Sequence, residues 1–266
     1  IELNKILEND KKYGIGNNGE ILDVKFGLYA SEEIIAQDGT SIPENGLIEV
    51  VQIKENGKAI CNSDLPIGKY YLKEVVTNKS YILNEEKYEA NFEYEGQEIK
   101  VAKISVNNGK EIENTLIRGK VQGRKITEDG EGLADVTIGI FNTETTKFTI
   151  ENAVETTKTL EDGNFEFINV PYGNWIIKEI ETVTGFVLSD EEIPVSINDN
   201  NEVIEIEMIN YYIRGNIALT KVDKDYPDNK LSEAIFEVYE DTNKNEILDD
   251  SDILLGQLEE VTKGNY

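Results

Sequence analysis

Three polar residue types fall on rows that are otherwise apolar, and together they are equipped for chemistry: lysine, glutamate and asparagine. Residues two apart in a strand share a face. Ile1, Leu3 and Lys5 therefore form one row, repeated as Val121, Gly123 and Lys125 and again as Ile217, Leu219 and Lys221. Tyr70, Leu72 and Glu74 form another, matched by Trp175, Ile177 and Glu179. Ile112 with Asn114, and Ile204, Ile206 and Met208 with Asn210, end two more rows on an amide. Burying an amine, a carboxyl and an amide unpaired costs several kcal/mol per group, so the three are expected to converge inside each unit.

Two outcomes of that convergence are open on the residues alone. One is a buried lysine–glutamate ion pair capped by asparagine. The other is covalent. Desolvation lowers a lysine pKa and raises a glutamate pKa, so amine and carboxyl can both be neutral near ordinary pH. A neutral amine attacks the asparagine side-chain carbonyl while the protonated glutamate hydrogen-bonds that oxygen and shuttles protons. Ammonia leaves and a lysine–asparagine amide remains. Folding supplies the proximity, since well-oriented intramolecular groups reach effective molarities of roughly 10⁵ M or more.

Such rows need strands, and the chain is written as repeats of them. Ile117-Arg118-Gly119-Lys120-Val121 recurs as Ile213-Arg214-Gly215-Asn216-Ile217. Gly68-Lys69-Tyr70-Tyr71-Leu72-Lys73-Glu74 recurs as Gly173-Asn174-Trp175-Ile176-Ile177-Lys178-Glu179. Val24 to Tyr29 has counterparts at Val136 to Phe141 and Ala234 to Tyr239. Short alternating runs, broken by turns such as Asn56-Gly57 and Asp162-Gly163, predict antiparallel strands and hairpins. No segment holds a helical period over ten residues or more. The expected fold is all-β: tandem immunoglobulin-like β-sandwiches of roughly seven strands each. The expected units are 1–116, 117–212 and 213–266, the third truncated.

Composition narrows the function classes. The 266 residues carry a net charge of -27, which disfavours nucleic acid and anionic lipid as partners. No run approaches the twenty or so apolar residues of a membrane span, and the opening residues carry no signal-like stretch, which reads as a mature or excised piece. There is no histidine, so the usual general base and the commonest metal ligand are missing. The one cysteine, Cys61, has no internal disulfide partner. It is read as a buried or edge residue, with a cysteine–glutamine thioester as the alternative.

The lysine-ended first strand, the Pro-x-Gly strand bearing Lys-Glu and the asparagine-ended last strand resemble the B-type repeats of Gram-positive collagen adhesins and sortase-assembled pilins. The resemblance covers the whole chain, the third unit in part, and implies sandwiches of the transthyretin-like (prealbumin-like) type. It implies that Lys5, Glu74 and Asn114 form one isopeptide triad and Lys125, Glu179 and Asn210 a second, with Glu74 and Glu179 catalytic. Lys221 is then the crosslinking lysine of the third unit without its partners in this sequence. It further implies a secreted protein of the Gram-positive cell wall surface and a stalk whose partners are neighbouring repeats of the same chain. The implied chemistry is a single self-processing turnover, so no enzyme class is expected to apply and no cofactor is expected to be needed for it.

Asp241, Asn243, Asn245, Asp249 and Asp252 occupy loop positions 1, 3, 5, 9 and 12 of a calcium-loop pattern, with Glu246 where glycine normally turns the chain. A calcium site and an acidic turn without an ion are both open. Two rival functions remain: an adhesin domain that binds a host extracellular-matrix protein, and an accessory module of a secreted enzyme that lacks the buried triad.

Overall fold

The structure, a computed structural model, describes residues 1–35 and 38–266. Residues Ile1–Tyr212 form one compact unit and Ile213–Tyr266 another.

In the first unit the strands run β1 (Glu2–Leu7), β2 (Lys25–Ala30), β3 (Ile34–Ile35), β4 (Ser41–Ile42), β5 (Leu47–Gln52), β6 (Lys58–Ile60), β7 (Tyr70–Val76), β8 (Lys87–Glu89) and β9 (Glu111–Asn114). They continue as β10 (Arg118–Thr127), β11 (Thr137–Asn142), β12 (Glu155–Lys158), β13 (Asn164–Pro171), β14 (Gly173–Glu181), β15 (Glu192–Ile197) and β16 (Val203–Asn210). Apart from the short β3–β4 pair they make four sheets. Sheet β6-β1-β9 packs on β5-β2-β7-β8 through Leu3, Phe26, Leu28, Leu72 and Ile112. Sheet β13-β10-β16 packs on β12-β11-β14-β15 through Val121, Ile138, Ile140, Phe167, Ile177 and Met208. The second sandwich thus repeats the strand order of the first, and the all-β tandem architecture is the one the alternation predicts.

Burial follows the pleat. In β1 the buried residues are Leu3, Lys5 and Leu7, and in β9 they are Ile112 and Asn114. The first and last strands of each sandwich are parallel neighbours. Leu7 lies opposite Asn114 and Lys5 opposite Ile112, while Thr127 lies opposite Asn210 and Lys125 opposite Met208. Each lysine therefore sits diagonally across from its asparagine on the same face, within reach of a long side chain.

Glycines hold the lysine strands in place. The Lys5 N–H donates to Gly57 O at 2.7 Å and the Lys125 N–H to Gly163 O at 2.8 Å. Both glycines turn the chain with positive φ, 74° and 81°, and a Cβ there would lie 2.5 Å from Lys5 O and 2.1 Å from Lys125 O. Gly123 interrupts the apolar row of β10 because its space is taken: a Cβ would come within 2.6 Å of Phe165 Cζ and 2.8 Å of Ile206 Cγ1.

The two sandwiches of the first unit are tied by the turn after β1. Asp10 and Ile15 exchange backbone hydrogen bonds there, and Tyr13 at the tip is buried in the second core, edge-on to Trp175 with ring centroids 4.9 Å apart. Arg118 spans Glu8 Oε1 at 2.7 Å and Asp10 Oδ2 at 2.9 Å, and also donates to Asn169 O at 2.8 Å.

In the second unit β17 (Glu237–Glu240) pairs with β18 (Ile253–Gln257), and the Lys221 N–H donates to Gly264 O at 2.7 Å. Gly264 has φ 67°, so the lysine–glycine contact of the other two repeats recurs.

Candidate functional site

Strand β1 supplies Lys5, β9 supplies Asn114 and β7, in the facing sheet, supplies Glu74. The three side chains meet between the sheets, each no more than 3 % exposed. Lys5 Nζ donates to Asn114 Oδ1 at 2.6 Å and lies 3.6 Å from Glu74 Oε2. Asn114 Nδ2 donates to Glu74 Oε1 at 2.6 Å. The carboxyl therefore faces the amide nitrogen, whereas the sequence reading put it on the carbonyl oxygen.

Burial dominates the electrostatics. It pushes the Lys5 amine down from 10.5 to about 8, against the pull of Glu74, and pushes the Glu74 carboxyl up despite Lys5 and Asn114. Both shifts run toward the neutral forms, the direction that nucleophilic attack by the amine requires.

The second site is built from the equivalent strands, with Lys125 on β10, Glu179 on β14 and Asn210 on β16, all buried. Asn210 Nδ2 donates to Glu179 Oε1 at 2.7 Å, as in the first site. The lysine differs. Lys125 Nζ lies 2.8 Å from Glu179 Oε2, and Asn210 Oδ1 has no hydrogen-bond partner among the described residues. Burial again lowers the lysine pKa. Lys120, five positions before Lys125 on β10, is only half-buried, and its Nζ pairs with Glu166 Oε2 at 2.6 Å.

Each site contains a fourth group that the sequence reading missed. Asn114 Nδ2 also donates to Thr77 Oγ1 at 2.8 Å, and Asn210 Nδ2 to Thr182 Oγ1 at 2.7 Å. The signal was present as a shared spacing: Lys73-Glu74 and Lys178-Glu179 are each followed three positions after the glutamate by threonine.

The remaining candidates are not gathered with these groups. Lys221 is exposed in the second unit. Cys61 is buried, which pushes its thiol up to about 11 and away from thiolate chemistry. Asp241, Asn243, Asn245, Asp249 and Asp252 lie between β17 and β18. The Nδ2 groups of Asn243 and Asn245 donate to Asp249 Oδ2 at 3.0 and 2.8 Å, and the Asn245 and Glu246 N–H groups donate to Asp241 at 3.1 and 2.8 Å. The Asp249 N–H donates to Asp252 Oδ2 at 3.0 Å. Glu246 takes φ 60°, the left-handed conformation that glycine would adopt without strain. Among the described residues no group of three or more His, Cys, Asp or Glu side chains is disposed to hold a metal ion.

The model of one protein family, described as SpaA, prealbumin-like fold domain, matches residues 9–110 and 119–212. No curated protein sequence matches the chain. Among solved structures, the TIE protein of Bacillus anthracis is similar over 100% of this chain and 42% of its own, with TM-score 0.61 and 19% identity. This chain thus spans less than half of that protein. The minor pilin GBS52 of Streptococcus agalactiae aligns over 81% of this chain and 98% of its own, with TM-score 0.35 and 18% identity. The major pilin subunit BcpA of Bacillus cereus aligns over 80% and 99%, with TM-score 0.31 and 11% identity.

Proposed function

For a chain that belongs to the family of SpaA prealbumin-like fold domains, we propose a structural role: a stalk segment of a cell-wall-anchored adhesin or pilin of a Gram-positive bacterium, stiffened by lysine–asparagine bonds that form on folding. Residues 1–116 and 117–212 are the two crosslinking repeats, and 213–266 belongs to a third, whose lysine is Lys221. Neighbouring repeats of the same chain are the partners.

The contact that carries this reading is the 2.6 Å approach of Lys5 Nζ to the Asn114 carbonyl, with Asn114 Nδ2 bonded at 2.6 Å to Glu74. In the proposed reaction the neutral Lys5 amine attacks Asn114 Cγ and the Nζ–Cγ bond forms. Glu74 carries one proton from Nζ to Nδ2, the Cγ–Nδ2 bond breaks, and ammonia departs. Glu74 ends in the protonation state in which it began, so the balance closes without cofactor or oxidant. The buried, water-poor site favours the amide over its hydrolysis. Lys125, Glu179 and Asn210 do the same in the second repeat once Lys125 swings from Glu179 to the unpartnered Asn210 oxygen.

Joining the first strand to the last closes a loop of roughly a hundred residues, a constraint of about 4–5 kcal/mol on the unfolded chain by analogy with disulfides. Tension applied at the ends passes through the amide instead of unzipping the sheet. The intact mass of the purified chain tests the reading: it is expected to fall two ammonia molecules short of the sequence mass, and one short in the Glu74→Gln variant. A wild-type mass equal to that of the sequence would reject crosslinking and leave two buried ion pairs.

A further inference from the structure

The two threonines do more than fill space. An asparagine amide has two N–H donors, and in each site one goes to the glutamate and the other to a threonine hydroxyl. Amide rotation about the Cβ–Cγ bond is thereby blocked, because turning it over would set the oxygen against the glutamate and leave two buried donors unpaired. The threonine is also the one polar member of the group that is only half buried, whereas lysine, glutamate and asparagine are fully buried. Its oxygen accepts from the nitrogen that leaves in the proposed reaction. The Thr77 hydroxyl additionally interacts with the Glu74 carboxyl, which ties nitrogen, hydroxyl and proton carrier into one cluster. That two sites with different lysine placements share this arrangement, at 2.8 and 2.7 Å, argues that it belongs to the amide and its fate.

We propose that Thr77 and Thr182 are positioning residues of the crosslinking chemistry: each holds the acceptor asparagine with its carbonyl free for the lysine and its leaving nitrogen on the glutamate. This rests on the crosslinking reading above. As Nδ2 takes up a proton and its bond to Cγ lengthens, a fixed acceptor oxygen beside it binds the increasingly positive N–H more strongly than it binds the neutral amide. The threonine thus acts on the rate of bond formation and has no part in the bond itself.

The test refolds the full chain from denaturant by dilution, quenches at intervals, digests it, and quantifies the Lys5–Asn114 and Lys125–Asn210 linked peptides separately. Thr77→Val keeps the shape and removes the hydroxyl. It is expected to slow the first link about tenfold, the worth of one hydrogen bond, and to leave the second link at its wild-type rate. Thr182→Val is expected to do the reverse, and Thr77→Ser to restore the first link. The second link in the same molecule reports whether Thr77→Val folds. A wild-type rate for the first link in Thr77→Val would overturn the inference, as would equal slowing of both links or a Thr77→Ser variant as slow as the valine one. Absence of both links in the wild type would instead reject the crosslinking reading on which the inference stands.

Discussion

At the scale of single residues, the pairing of Lys5 with Glu74 would set a pH window for the proposed crosslinking. The reactive state holds one proton fewer than the fully protonated pair. It is lost to protonation on the acid side, where both groups carry their protons, and to deprotonation on the alkaline side, where Glu74 has no proton to deliver. Burial places the alkaline limit at the Lys5 value of about 8, and lifts the acid limit above the ordinary carboxylate range. The rate of formation of the Lys5–Asn114 link on refolding is therefore expected to be bell-shaped, with its alkaline limb near pH 8. A rate that keeps climbing to pH 10 would mean that the amine titrates as if in water. The lysine, glutamate and asparagine rows were legible because each stands at an even spacing from apolar neighbours. The threonines were not, since Thr77 and Thr182 lie just beyond the alternating runs and declare themselves only through the amide they meet.

At the scale of elements, the turn before each repeat's middle strands does the positioning. Gly163 approaches the carbonyl of Lys125 so closely that alanine would put its Cβ 2.1 Å from the oxygen, at a φ of 81° that alanine disfavours. Gly163→Ala is expected to cost more than about 1 kcal/mol of stability and to slow the Lys125–Asn210 link, because the lysine strand must shift to relieve the contact. Melting temperature and linked-peptide yield measure the two effects, and a variant unchanged in both would show that the glycine is a turn former only. The Asn-Gly and Asp-Gly turns were readable from composition. Their closeness to the lysine backbone was not, since it depends on β1 and β10 returning beside hairpins more than thirty residues away.

At the scale of the whole first unit, the turn after β1 couples the two sandwiches. Tyr13 belongs to the first repeat by sequence and to the second core by packing, and Arg118 answers two carboxylates contributed by the first repeat. Truncating a buried aromatic costs roughly 3 kcal/mol. The double variant Tyr13→Ala, Arg118→Ala is expected to keep each core folded and both links formed while the sandwiches move independently, seen in small-angle scattering as a broader range of sizes. Scattering identical to the wild type would show that the linker alone holds them.

By itself the sequence determined the all-β class, the repeats and the polar residues that interrupt the inward rows, because alternation and turn chemistry are local and survive without a partner strand. Tertiary structure decided the rest. Which nitrogen each carboxyl faces, why Lys125 rests on Glu179 while Lys5 rests on Asn114, and how Tyr13 crosses into the next core all depend on groups brought together from distant strands. Distances of a few tenths of an ångström between such groups are settled by packing of two sheets against each other, and no pattern along the chain encodes them one residue at a time.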